Sequence, residues 1–163
     1  MPIKRALKGI GKVSEKGGQL WATVPREKLL RALTILKHDF NAWRINTITG
    51  YDDGRDIWLI YHITVSEKLV NIKTKLSRDR PVIETISFQF PSARLYERDI
   101  HEMLGITVTG MEDTRRLFLP EGYKGKPPLL RTEAPGPPSS TSAPPKSQKP
   151  AKTRRKPSKQ PRA

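Results

Sequence analysis

The period of the apolar positions changes several times along the chain, and each change predicts a different element. In "GGQLWATV" (residues 17–24) a Gly-Gly punctuation precedes a short alternating run, which predicts a strand. Pro25 stands where a helix can begin. Leu29, Leu30, Leu33 and Leu36 then recur at helical spacing through "PREKLLRALTILKHDF", predicting an amphipathic helix whose stripe is core. "AWRINTITGY" and "RDIWLIYHITV" are rich in β-branched and aromatic residues and are separated by the turn signal "DDG", so residues 42–64 read as a hairpin. "KLVNIKTKL" (68–76) alternates less cleanly, and "PVIETISFQF" (81–90) reads as a further strand after an Arg-Asp-Arg-Pro turn.

At Pro91 the pattern returns to the helical period, with Ser92 placed as a cap. Through "ARLYERDIHEML", Ala93, Tyr96, Ile100 and Met103/Leu104 share one face, and Gly105 suits the position just past a helix end. Arg94 with Glu97 and Arg98 with Glu102 stand three and four apart, the spacing of ordinary surface ion pairs. Beyond "ITVTG" the chain keeps Leu117, Phe118 and Leu119 but loses periodicity, as an extended arm would. The sum is an α+β chain. It reads as a single domain with a mostly antiparallel four- to five-stranded sheet, helices packed on it and an extended C-terminal arm. The expected boundaries are a basic segment at 1–17, the domain at 18–131 and a Pro/Lys/Arg-rich tail at 132–163.

Charge changes that picture mainly at the end of the chain. The 163 residues carry a formal +15. Residues 132–163 hold eight Lys/Arg against the single acid Glu133, a net +7, together with eight of the 15 prolines. So little apolar surface cannot offset the entropy of ordering, and disorder is expected there. Such a tail would be drawn to an acidic protein face, anionic lipid or RNA. There is no cysteine, which excludes a disulfide, a thiolate zinc site and a cysteine-held iron–sulfur cluster on this chain. No apolar run approaches the ~20 residues of a membrane span, and "MPIKRALKGIGKVSEKGG" lacks the core of a signal peptide, so the expected location is cytoplasmic.

The densest chemistry lies in "YERDIHEMLGITVTGMEDTRRLFLP" (96–120). Glu97 and His101 are four apart, but a third metal ligand is not evident, and His38 and His62 are isolated. Glu97, Asp99 and Glu102 each have an arginine or a solvent-facing direction that accounts for them without general acid–base work. Ser87 and Ser92 show no histidine partner for nucleophilic catalysis. Trp21, Trp43, Trp58, Tyr51 and Tyr61 lie in strand-like runs, where core packing is the default over a stacking platform for nucleic acid. The residues alone describe a basic α+β binding domain without an active site. A nucleic-acid-associated protein is the alternative that charge supports.

The order of residues adds to this. "PSARLYERDIHEMLGI" followed by "TGMEDTRRLFLPEGYKGKPPLLR" resembles the signature of the thirty-kilodalton (C) subunit family of respiratory complex I, NADH:quinone oxidoreductase, including related subunits of archaeal energy-converting membrane-bound hydrogenases. Glu97-Arg98-Asp99 matches the acid-base-acid core, Glu102, Met103, Gly105 and Ile106 its continuation, and Gly110, Arg115, Arg116, Leu117 and Pro120 the next block. "ITGYDDG" before "IWLIYHI" and "VIETISFQFPSA" extend the likeness upstream, so that it covers about residues 18–131. Leu95, Met111 and Leu130 depart from the family pattern, where Trp, His and Arg are usual. The resemblance implies a subunit without a cofactor of its own, peripheral on the cytoplasmic side of the membrane. It would dock to a hydrogenase-like large subunit and to iron–sulfur subunits that hold the clusters, and to any nickel-iron or quinone site they carry. It also implies a docking surface built from Glu97, Arg98, Asp99, Glu102, Gly105, Arg115, Arg116 and Arg131.

Overall fold

The computed structural model describes residues 2–131, so the expected tail lies outside the described residues. Three α-helices and seven strands follow one another as α1 (Pro2–Lys8), β1 (Lys12–Lys16), β2 (Gln19–Thr23), a 3-10 turn (Arg26–Lys28), α2 (Leu29–Asp39), β3 (Ile45–Asp52), β4 (Asp56–Val65), β5 (Lys68–Ser77), β6 (Val82–Glu84), α3 (Ala93–Leu104) and β7 (Thr107–Thr109). The α+β class and the mostly antiparallel sheet read from the sequence are those observed. Five strands form a sheet in the order β1-β2-β5-β4-β3, and only the β2–β5 pair is parallel.

The 42–64 hairpin is present as β3 and β4, closed by a turn that Asp53 organises: its Oδ1 accepts the amides of Arg55 (2.9 Å) and Asp56 (2.8 Å). Strand β4 alternates strictly. Ile57, Leu59, Tyr61, Ile63 and Val65 are buried toward the helices, while Trp58, Ile60 and His62 lie on the other face. That alternation fixes the register, because a one-residue slip would turn the buried set to solvent. The α2 stripe is core as expected, with Leu29, Leu33 and Leu36 at most 1% exposed. Each such side chain stabilises the fold by about 1.5–3 kcal/mol through burial.

Residues 2–16, read from sequence as a basic segment ahead of the domain, form α1 and β1. Leu7 is fully buried, and β1 pairs with β2 as the edge of the sheet. The expected strand at 81–90 is restricted to Val82–Glu84, which pairs in parallel with β7 as a separate two-stranded sheet. The chain leaves the strand after Glu84, where the Ile86 amide bonds to a side chain of α3 instead of a neighbouring strand, and Phe90 N–H turns back to Ile86 C=O (2.8 Å). Ser92 does not cap α3. Its hydroxyl instead bridges to Ile45, taking that residue's N–H at 3.3 Å and reaching its carbonyl at 3.4 Å. The expectation that the aromatics are core holds for Tyr61 alone: Trp43 is 69% exposed, Tyr51 is exposed, and Trp21 and Trp58 are half-buried.

Candidate interaction surface

Helix α3 crosses β3 where Gly50 leaves room. A Cβ there would lie 2.3 Å from Leu104 Cδ1 and 3.2 Å from Leu59 Cδ2. The helix stops at Gly105, whose φ of +67° is the left-handed conformation that favours glycine, and whose missing Cβ leaves space for Pro127 Cγ at 2.9 Å. Through that contact the helix end supports the arm.

The surface ion pairs expected along α3 are not made. Glu97 is 2% exposed and points inward. Its Oε1 accepts Ile86 N–H (2.6 Å) and its Oε2 the hydroxyl of Thr85 (2.6 Å), which in turn lies 2.9 Å from Ser87 Oγ. Burial outweighs these bonds and raises the carboxyl pKa above the usual glutamate value. Glu102 turns to the arm: Oε2 accepts the amides of Leu117 (3.1 Å) and Phe118 (2.8 Å), Oε1 that of Leu119 (2.9 Å), and Arg116 stands 3.8 Å away. Burial opposes its ionisation too, but three amides and the guanidinium prevail and lower its pKa. Asp99, between them in sequence, is shifted up by burial and by the Glu102 charge.

The arginines released from these pairs serve the loop after β7. Arg94 pairs with Glu112 (3.5 Å), and Arg98 with Asp113 (3.3 Å). Arg98 also donates to the carbonyls of Arg115 (3.1 and 2.9 Å) and Arg116 (3.1 Å), so it acts as a bracket for a backbone turn. Arg115 lies along Asp113 (2.8 Å) with 85% of its side chain exposed. At the far end of the arm, Arg131 N–H donates to Asp52 Oδ2 (3.0 Å), which also accepts Arg78 Nε (3.0 Å). Asp52 is a site residue that the sequence reading misses. Its signal is the Asp-Asp-Gly turn, in which Asp52 also accepts the Gly54 amide (2.7 Å).

The eight candidate residues therefore separate. Glu97 and Glu102 are interior anchors, Arg98 is mostly enclosed, Asp99 is half-buried on α3, Gly105 supports Pro127, and Arg115, Arg116 and Arg131 lie toward solvent along the arm. Around them stand large exposed apolar side chains, Phe88 (72%), Leu95 (57%), Phe118 (64%) and Leu129 (56%). His101 donates from Nδ1 to the Ile106 carbonyl (2.8 Å) and closes the helix end. Among the described residues no three His, Cys, Asp or Glu side chains are grouped to hold a metal ion.

A model of the family "Respiratory-chain NADH dehydrogenase, 30 Kd subunit" matches residues 22–139, from near the end of β2 onward through the arm. The chain belongs to that family. Among members of the 30 Kd subunit family, the C subunit of NADH-quinone oxidoreductase from Moorella thermoacetica is 28% identical over 108 residues, covering 64% of this chain and 73% of that protein. The corresponding C subunit from Rhizobium rhizogenes is 31% identical over 129 residues, covering 74% of this chain and 62% of its own length. Other such C subunits are matched over 57% and 38% of their length, so the chain spans only part of several curated relatives. In fold it is similar to a chain of the membrane-bound sulfane sulfur reductase, an archaeal respiratory membrane complex (TM-score 0.64, 24% identity, 72% of this chain and 74% of that one). It is also similar to a trypsin-resistant fragment (1-134) of Nqo5 (TM-score 0.61, 20% identity, 69% and 99%).

Proposed function

We propose that this 30 Kd-type chain is a non-catalytic structural subunit of a complex-I-like membrane oxidoreductase. In this reading it sits in the hydrophilic arm on the cytoplasmic side, and it docks to the hydrogenase-like large subunit and iron–sulfur subunits that hold the cofactors. The observation that carries the reading is the family match over residues 22–139. The geometry supports it. The buried Glu102 and Asp52 and the mostly enclosed Arg98 hold the backbone of 115–131 in place, which leaves Phe118, Leu129 and Arg115 presented outward beside Leu95 of α3. Rigid apolar anchors rimmed by charge are what a protein interface requires. No helix among the described residues is long and apolar enough to cross a membrane.

The test is affinity capture of the tagged full-length chain from solubilised membranes at moderate salt, with partners identified by mass spectrometry. Recovery of a hydrogenase-like large subunit with cluster proteins is expected. Arg98→Ala, which frees the 115–116 turn, should lower that recovery. Capture of nucleic-acid-binding material alone, lost as salt rises, would overturn the assignment.

A further inference from the structure

A cleft of about 320 Å³ opens between α3 and the loop after β7. Glu97 is one of its lining residues, and Pro91, Leu95 and Met111 supply its apolar surface. Its charged rim is already neutralised, since Arg94 is paired with Glu112 and Arg98 with Asp113. Glu97 is different. Its two bonds come from neutral donors, Thr85 and Ile86, and among the described residues no Lys, Arg or His stands within ion-pair distance of it. The two arginines nearest to it on its own helix are those turned to the loop. A carboxylate so enclosed and without a counter-charge is costly, and burial opposes its ionisation.

We propose that this cleft receives a lysine or arginine side chain of the neighbouring subunit, its alkyl stem lying against Leu95 and Met111 and its charged head reaching Glu97. This rests on the reading of the chain as a docked subunit and names the chemistry of one docking point. A long basic side chain is apolar along its stem and charged only at its tip, matching apolar walls over an acidic floor. A purely apolar occupant would leave the charged form of Glu97 desolvated and without a counter-ion, and an anion would be repelled by that form.

The test uses the tagged full-length chain, expressed in cells lacking the untagged copy, with capture of the native complex as the readout. Glu97→Gln keeps the local bonds, because its carbonyl oxygen can accept Ile86 N–H and its amide can donate to Thr85. The free chain should melt at or above the wild-type temperature, while capture falls at least about 30-fold at low salt. Capture equal to wild type overturns the proposal. A second pair of variants, at the half-exposed Met111, decides the matter independently of how Glu97→Gln folds. Met111→Lys supplies an internal amine to Glu97 and should reduce capture strongly, whereas the neutral Met111→Gln, which keeps an aliphatic stem in the wall, should reduce it much less. If Met111→Gln lowers capture as much as Met111→Lys, the occupant is apolar and the proposal fails; it fails also if neither has an effect. Absence of any captured subunit with the wild-type chain would instead refute the docked-subunit reading.

Discussion

Replacing Glu102 by glutamine would show whether the arm is held by that carboxylate. The side chain accepts three consecutive backbone amides, at 3.1, 2.8 and 2.9 Å, and is 4% exposed. Glutamine has one acceptor oxygen, so in its better orientation it still takes two amides and turns its own N–H₂ against the third. An unsatisfied buried donor costs about 1–3 kcal/mol, and the remaining bonds lose the extra strength given by a charged acceptor, so the arm should loosen by roughly 2–4 kcal/mol. At about 1.4 kcal/mol per factor of ten, hydrogen-exchange protection at Leu117, Phe118 and Leu119 should fall roughly 30- to 700-fold. Amides of β4 and β5, in the interior of the sheet, should keep their protection, because the arm opens locally. Lowering the pH acts at the same point. The folded-state pKa of Glu102 is depressed, so its contribution is full above the ordinary glutamate value and is lost as pH falls through the lower folded one. Protection at 117–119 unchanged in Glu102→Gln would refute the reasoning.

Two further outcomes concern the sheet. Gly50→Ala should destabilise the domain by about 1–3 kcal/mol in urea melts, because the new methyl meets Leu104 and Leu59; a wild-type midpoint would show that α3 can move off β3. Asp53 is held at a pKa of about 2 by the amides of Asp56 and Arg55 and by Trp58 Nε1, which donates to it at 2.7 Å. The stability advantage of wild type over Asp53→Asn should therefore be full above the ordinary aspartate value and shrink as pH falls toward about 2. An advantage independent of pH across that range would count against the turn as described.

The sequence displays the elements whose signal is local. The period of α2, the "DDG" turn and the glycine after α3 are each contained in a few residues, and each stands where expected. The charge of Glu97 suggests a surface partner, yet its position with Ala93, Ile100 and Leu104 places it on the buried stripe of the same helix. Spacing is the better guide than residue type there. The three amides gathered by Glu102 lie 15 to 17 residues away on an aperiodic segment, and no pattern in either segment announces their meeting. Strand β1, "KVSEK", exposes almost every side chain, so it lacks the alternation by which strands are recognised. The exposed Trp43, which its strand-like run predicts to be core, lies instead against Arg44, its ring 4.7 Å from the guanidinium.

The parallel pairing of β2 with β5 also constrains the order in which the chain can reach this structure. Leu20 to Thr23 meet Val70 to Lys73 across all the intervening chain, whereas β3, β4 and β5 meet through short connections. Closing a long loop loses more entropy before any contact rewards it. The meander of β3, β4 and β5 should therefore assemble first, with the earlier-synthesised β1–β2 hairpin joining last. Substitutions at Ala22 would then speed unfolding and leave the folding rate almost unchanged, and those at Leu59 would slow folding. The reverse pattern would mean that the two ends of the sheet meet early. Strands β1 and β2, synthesised before β5, have to wait for it before they have a place in the sheet.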